Sequence, residues 1–259
     1  MGSMKVAPAH ERPGVSFPRS VALALVALAI VAIAAACSSD GGDGPDPSGA
    51  PAATSTPSSP ADPSAAFRAL EFPADLVDGQ AIGKPDARIT LTAFEDFQCP
   101  FCLRFTLLNE PVIIKEYVLT GRVRFEFKHL PILGDESGAA AIAGSCAADQ
   151  GRFWALHKRL FLAQLDAGQL TAEKVNVGRF SAGNLQRYAA EEGLDGAAFA
   201  ACLGSQAAVD KVTGQLREAT ALGLRGTPSF LINGQPVPKP PTTPAEWRSF
   251  LDEQLKTAR

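Results

Sequence analysis

Ile89-Thr90-Leu91-Thr92-Ala93-Phe94-Glu95-Asp96-Phe97-Gln98-Cys99-Pro100-Phe101-Cys102 joins an apolar run, a short acidic loop and two cysteines two residues apart. Residues 88–94 read as a strand, central in its sheet. Residues 100–119 read as a helix, with Phe101, Phe105, Leu108 and Val112 along one side and Pro111 placed to kink or restart it. The pattern makes Cys99 the N-cap and Pro100 the first helical residue, where the missing proline N–H has no intrahelical partner to lose. The N–H groups of Phe101 and Cys102 then lack helical acceptors and point back at the Cys99 sulfur. The helix dipole adds partial positive charge at the same end. Both effects favour thiolate over thiol, each unit of depression being worth about 1.4 kcal/mol. The stabilisation belongs to the reduced form alone, so it makes the disulfide a better oxidant. Cys102, one turn into the helix, is expected to be more buried and to act as the resolving thiol.

Two other readings of the pair are weaker. A structural bridge over so short a loop closes almost no chain and adds little stability. A zinc site needs a second ligand pair, and the sequence has no second Cys-x-x-Cys and no His-x-x-x-His.

The chain has 259 residues, enough for one large domain or two small ones, and a formal net charge of −3 with no basic patch, which gives no reason to expect nucleic acid. Its five cysteines are Cys37, Cys99, Cys102, Cys146 and Cys202. The only methionines, Met1 and Met4, lie in a segment expected to be removed, which argues against a methionine-based copper site. His10, His129 and His157 are scattered, so no metal is expected; His129 and His157 read as packing or surface residues. No dinucleotide or Walker loop appears in residues 67–259, and nothing calls for a cofactor.

Residues 1–36 read as a targeting segment: Lys5, Arg12 and Arg19, then an unbroken apolar run over residues 21–36. The run ends at Ala34-Ala35-Ala36-Cys37, similar to a bacterial lipoprotein signal with cleavage and lipidation at Cys37, although Ala34 stands where leucine is usual. Ordinary cleavage near Ala36 and a short uncleaved anchor are the alternatives. All three place the body of the protein outside the cytoplasm, where disulfides persist. Residues 38–64 contain only Ser, Asp, Gly, Pro, Ala and Thr. Such a segment cannot bury useful apolar surface and is expected to be a disordered tether with a span of roughly 30 Å.

Beyond the tether, residues 72–82 read as extended with a turn at Asp78-Gly79, and Gly83-Lys84-Pro85-Asp86 as a second turn. Residues 122–128 alternate as a strand. From 136 to about 204 the pattern is helical and alanine-rich, with stretches at 139–148, 152–164, 184–192 and 195–203, and residues 171–177 can begin another helix. A further helix covers 206–222. Gly226-Thr227-Pro228-Ser229-Phe230-Leu231-Ile232-Asn233-Gly234 reads as a strand running into an Asn-Gly hairpin turn, and residues 244–256 as a closing helix around Trp247, Phe250 and Leu251. Taken alone, Pro228 is either a trans proline at a strand's first residue or a cis proline.

In combination these motifs are specific. The order strand, Cys-Pro-x-Cys, helix, helical insertion, Gly-Thr-Pro-Ser-Phe and Asn-Gly hairpin resembles the DsbA-type thiol–disulfide oxidoreductases of the thioredoxin superfamily, over roughly residues 72–255. Residues 96–102 resemble the family's active-site segment, Phe127-Lys128-His129-Leu130-Pro131 its second core strand and exit, Gly151-Arg152-Phe153-Trp154-Ala155-Leu156-His157 a helix start in its helical domain, and residues 226–230 its cis-proline loop. The resemblance implies an α/β, thioredoxin-like fold with an inserted all-helical domain: a signal at 1–36, a tether at 37–66, the thioredoxin-like domain at 67–134 and 205–259, and the insertion at 135–204. It implies that Cys99 is the attacking, solvent-facing sulfur and Cys102 its partner. Pro228 is cis and packs beside them, and the Thr227 backbone pairs with an extended substrate strand.

One departure is Phe101, at the position between the cysteines where strongly oxidising members often carry histidine. Phenylalanine can neither donate to the thiolate nor add charge, so a less extreme thiolate and potential are expected. Glu95 and Asp96 are expected to be solvated loop charges, the alternative being a buried proton acceptor near Cys102. Cys146 and Cys202 fall in the insertion and are expected to form a disulfide, the alternative being two buried thiols.

The implied function is an extracytoplasmic oxidase that converts dithiols of unfolded or reduced secreted proteins to disulfides. Its implied partner is a membrane quinone-linked reoxidising protein of the DsbB or vitamin K epoxide reductase type. The alternatives are a reductase or isomerase and a non-enzymatic binding lipoprotein.

Overall fold

The computed structural model describes Asp62 and residues 64–258. Cys37, the targeting segment and most of the tether lie outside the described residues. In chain order the helices are α1 (Ala65–Arg68), α2 (Pro100–Leu108), α3 (Glu110–Val112), α4 (Asp135–Asp149), α5 (Phe153–Asp166), α6 (Ala182–Glu191), α7 (Gly196–Leu203), α8 (Gln206–Ala221) and α9 (Pro244–Thr257). The strands are β1 (Val77–Asp78), β2 (Ala81–Ile82), β3 (Ile89–Glu95), β4 (Val123–His129), β5 (Ser229–Ile232) and β6 (Gln235–Pro236).

They form one mixed sheet in the order β1-β2-β4-β3-β5-β6. β3 lies between β4, parallel to it from Ile89↔Val123 to Glu95↔His129, and β5, antiparallel to it. The parallel pair requires a crossover, and the segment from α2 to residue 122 supplies it. β3 is buried at six of its seven residues, as a strand covered on both faces must be. β4 alternates buried and half-buried residues along its whole length.

The larger core lies on the face of Ile89, Leu91, Ala93, Val123, Phe125 and Phe127, against Leu103 and Phe105 of α2 and Phe153, Trp154 and Phe161 of α5. Phe127 sits at its centre, its ring 5.3 Å from Phe97 and 5.1 Å from Phe153. Burying each such ring contributes about 1.5–3 kcal/mol. The opposite face carries a smaller cluster of Phe94, Leu130, Ala219 and Leu231.

Asn109 ends α2, and Pro111 sits in the restarted turn α3, as its missing N–H requires. Residues 113–118 then widen into a π-helical turn, where the Leu119 N–H reaches Ile114 O five residues back. Gly83 lets the chain press against β4: a Cβ there would lie 2.8 Å from the Val123 carbonyl oxygen. α9 begins with a capping box of Thr243 and Glu246 around Pro244, and buries Trp247 and Leu251.

The helix that residues 171–177 could begin does not form. The segment 167–181 is an irregular strap instead. Gly168, Asn176 and Gly178 have positive φ, and the N–H groups of Lys174 and Asn176 bond to the side chains of Gln169 and Gln98 rather than to a preceding turn. Side-chain acceptors here outcompete the helical ladder.

Candidate active site

β3 delivers the chain to the redox segment, and α2 starts it. Cys99 is extended (φ −73°, ψ 123°) and caps α2 with Pro100 behind it. Its N–H donates to Asp96 O at 3.0 Å, and its carbonyl accepts from Leu103 N–H at 3.0 Å. Cys99 and Cys102 are free thiols, so the structure is that of the dithiol form. The loop before β5 folds over them through a cis Thr227–Pro228 bond, and the Cys99 thiol donates to Thr227 O at 3.3 Å.

The two sulfurs are electrostatically unlike. The Cys99 thiol is pulled down to about 7, first by the neighbouring Cys102 thiol acting as donor. Burial opposes this, and hydrogen bonds from the Thr227 side chain and from the N–H groups of Cys102 and Phe101 add to it. Cys102 is pushed well up, first by burial, then by its bond to Cys99 and by the neighbouring Glu95 carboxyl. Cys99 is less open than a solvent-facing sulfur: the residue is 4% exposed, with the Thr227 carbonyl against its sulfur, and Cys102 is 0% exposed. Phe101, by contrast, is 67% exposed.

The acidic residues ahead of the dithiol are not solvated loop charges. Glu95 is 1% exposed and Asp96 2%. Asp96 is drawn in because it satisfies two stretches of backbone. It accepts from Gln98 N–H at 2.8 Å, Ile132 N–H at 2.8 Å, Leu133 N–H at 3.0 Å and the Ser137 hydroxyl at 2.7 Å. Glu95 ends β3 on the side of the larger core, where strand alternation sets its direction. Burial first, then the neighbouring Glu110 carboxyl and the Cys99 sulfur, push its carboxyl well above the usual range, while the Cys102 thiol beside it works the other way. Neither Glu95 oxygen has a hydrogen bond of good geometry, and burial favours the neutral acid at this position next to the resolving sulfur.

His129 and His157 are buried packing residues. Burial pulls each down to about 3, so both are neutral. His157 Nε2 lies 3.6 Å from Glu110 Oε2, and burial raises Glu110 well above the usual range, so the contact joins two neutral groups. A Cβ on Gly144 would come within 2.8 Å of His129 Cε1, so α4 needs glycine there. Among the described residues, no group of three or more His, Cys, Asp or Glu side chains is arranged to hold a metal.

Beside Cys99 lies a pocket of about 260 Å³, lined by Phe101, Phe105, Pro228, Phe230 and Pro241, with Arg104 among its polar residues. A larger hollow of about 420 Å³ between β6 and α9 has no titratable or nucleophilic lining residue. Away from the site, Cys146 of α4 and Cys202 of α7 are joined by a disulfide across 56 residues.

Comparison with known proteins agrees with this geometry. A family model described as Thioredoxin matches residues 75–253. The chain is 28% identical to a probable disulfide bond formation protein D of Bacillus anthracis over 158 residues, 60% of this chain and 70% of that one. It is 35% identical to disulfide bond formation protein D of Bacillus subtilis over 104 residues, 37% and 47% of the two chains. It is also 32% identical to a Na(+)/H(+) antiporter NhaA of Herminiimonas arsenicoxydans over 166 residues, 64% of this chain but only 24% of the antiporter. The crystal structure of oxidised BdbD from Bacillus subtilis superposes with a TM-score of 0.60 at 24% identity, covering 69% of this chain and 94% of that one. The chain belongs to the thioredoxin family, and it is a DsbA-like thiol–disulfide oxidoreductase. Among the described residues no helix is long and apolar enough to cross a membrane.

The sequence alone did not single out Glu110, the Pro241–Thr242 wall of the pocket or the glutamines that hold the redox loop. None of them carries a local motif.

Proposed function

We propose that this protein works outside the cytoplasm as a dithiol oxidase, with Cys99 and Cys102 as its redox pair. The observation that carries the reading is the asymmetry of the sulfurs: Cys99 is brought down to about 7 while Cys102 is pushed up. In the oxidised form a substrate thiolate attacks Cys99 Sγ. The Cys99–Cys102 bond breaks, a mixed disulfide forms at Cys99, and Cys102 leaves as a thiolate. Buried Glu95, neutral beside it, supplies the proton that this sulfur takes. The substrate's second thiolate then attacks the mixed disulfide and releases Cys99 as the thiolate its surroundings favour. Two electrons pass from substrate to enzyme and one disulfide passes the other way. Thr227 offers its backbone to an extended substrate chain, which suits a broad range of reduced secreted proteins. Reoxidation falls to a membrane quinone-linked partner of the DsbB or vitamin K epoxide reductase type, near which lipidation at Cys37 and the tether at 37–66 would keep the domain.

The moderate depression of Cys99 supports a second reading, a reductase or isomerase. A thiolate near 7 matches thioredoxin, whereas the strongly oxidising extreme lies at about 3.5. Equilibrating the protein in glutathione buffers and reading Cys99–Cys102 by alkylation and mass separates the two. A potential above roughly −200 mV supports the oxidase, and one near −270 mV overturns it in favour of the reductase.

A further inference from the structure

The residues just ahead of the dithiol are held from the helical segment. The Phe97 carbonyl accepts from Gln164 Nε2 at 2.7 Å, and the Gln98 carbonyl from Gln169 Nε2 at 2.8 Å. Both glutamines are buried, at 0% and 1% exposure. Their amide oxygens converge on one guanidinium nitrogen: Arg179 Nη1 donates to Gln169 Oε1 at 3.1 Å and also to Gln164 Oε1. A cation can meet only the oxygen of an amide, so each amide is fixed with its NH₂ toward the redox loop. Each is a dipole aligned between a positive charge and a peptide carbonyl, the arrangement in which successive hydrogen bonds strengthen one another. The Gln98 side chain is gripped as well, accepting from Asn176 N–H at 2.7 Å.

These bonds act on the peptide planes next to the sulfur. The Gln98 carbonyl and the Cys99 N–H share one rigid plane. Gln169 holds its oxygen end, and Asp96 O accepts from its N–H end at 3.0 Å. The thiolate is favoured by N–H groups, and a carbonyl that rotated toward the sulfur would oppose it.

We propose that the strap 167–181, together with Gln164 near the end of α5, is a working part of the redox site, in which Gln164, Gln169 and Arg179 are positioning residues that keep the Phe97 and Gln98 carbonyls turned away from Cys99. The inference deepens the proposed function and rests on Cys99 being the attacking sulfur.

The test is an ultraviolet titration of the Cys99 thiolate in the reduced protein for Arg179→Met, Arg179→Lys and Gln169→Leu, with Arg152→Met as an exposed arginine control. Arg179 is half-buried, so its replacement opens no core. Arg179→Met and Gln169→Leu are expected to lower the thiolate population at neutral pH about fivefold, the scale of one weakened hydrogen bond. Arg179→Lys should restore most of it, and Arg152→Met should change nothing. Unchanged titration in both Arg179→Met and Gln169→Leu, with native circular dichroism, overturns the inference. So does an equal shift in Arg152→Met, which would make the effect one of general charge. If Gln169→Leu does not fold, the contrast between methionine and lysine at 179 decides. The titration uses no substrate, so its failure leaves the oxidase reading standing, and a reductase potential leaves the strap standing.

Discussion

Cys102→Ala removes the largest support of the Cys99 thiolate. Cys99 stands at about 7 against an ordinary 9.0, a difference of two units or about 3 kcal/mol. Hydrogen bonds to charged groups contribute about 1.5–3 kcal/mol, and a thiol is a weak donor, so the lower end, about one unit, is the expected loss. The variant should therefore titrate near 8, and its thiolate population at pH 7 should fall from about one half to about one tenth. Cys102→Ser keeps a hydroxyl donor at the same place and should stay within about half a unit of the parent. Ultraviolet absorbance of the thiolate against pH reads both, and the rate of alkylation by iodoacetamide at neutral pH should fall about fivefold in the alanine variant alone. An alanine variant that titrates with the parent would refute the reasoning, leaving the thiolate to the N–H groups of α2. A serine variant that moves as far as alanine would refute it too, because the donor would not be what matters.

Three further outcomes follow from the same geometry. Glu95→Gln should slow formation of the mixed disulfide by about 10² or more and flatten its pH dependence, because the neutral acid beside Cys102 is gone; rapid-mixing kinetics of the oxidised protein with a cysteine peptide will show it. The reduced protein should gain stability on going from pH 7 to pH 9, by up to about 3 kcal/mol. The sign follows from a folded value of about 7 lying below the unfolded 9.0: the contribution is fully present above 9 and is lost as pH falls through 7, and urea midpoints of the dithiol form across that range measure it. Replacing Cys146 and Cys202 together by alanine opens a 56-residue loop and should cost about 4 kcal/mol in urea unfolding while leaving the Cys99 titration in place.

What was legible in the sequence was local. The apolar run, the proline behind Cys99 and the Asn-Gly turn each act over a few residues, and the strands and helices they mark lie where the patterns put them. Glu95 and Asp96 were misread because their surroundings come from far along the chain. Asp96 is buried by the backbone of Ile132 and Leu133, more than thirty residues away, which it satisfies. Residues 171–177 carry an acceptable helical composition, yet the side chains of Gln98 and Gln169 take their N–H groups. The contact of His157 with Glu110 joins two elements with no shared motif, and no spacing rule reaches it.

Cys99 is a residue only 4% exposed, with the Thr227 carbonyl 3.3 Å from its sulfur, which leaves an attacking group little room. On the proposed reading, that shape is a filter on how folded the substrate is. A cysteine set in a rigid domain brings its neighbours with it, and they collide with the loop before the sulfurs meet. A cysteine on a loose chain arrives alone and extended. On that reading the protein acts early on a reduced chain and falls silent as the chain folds, with no need for any signal that folding is done.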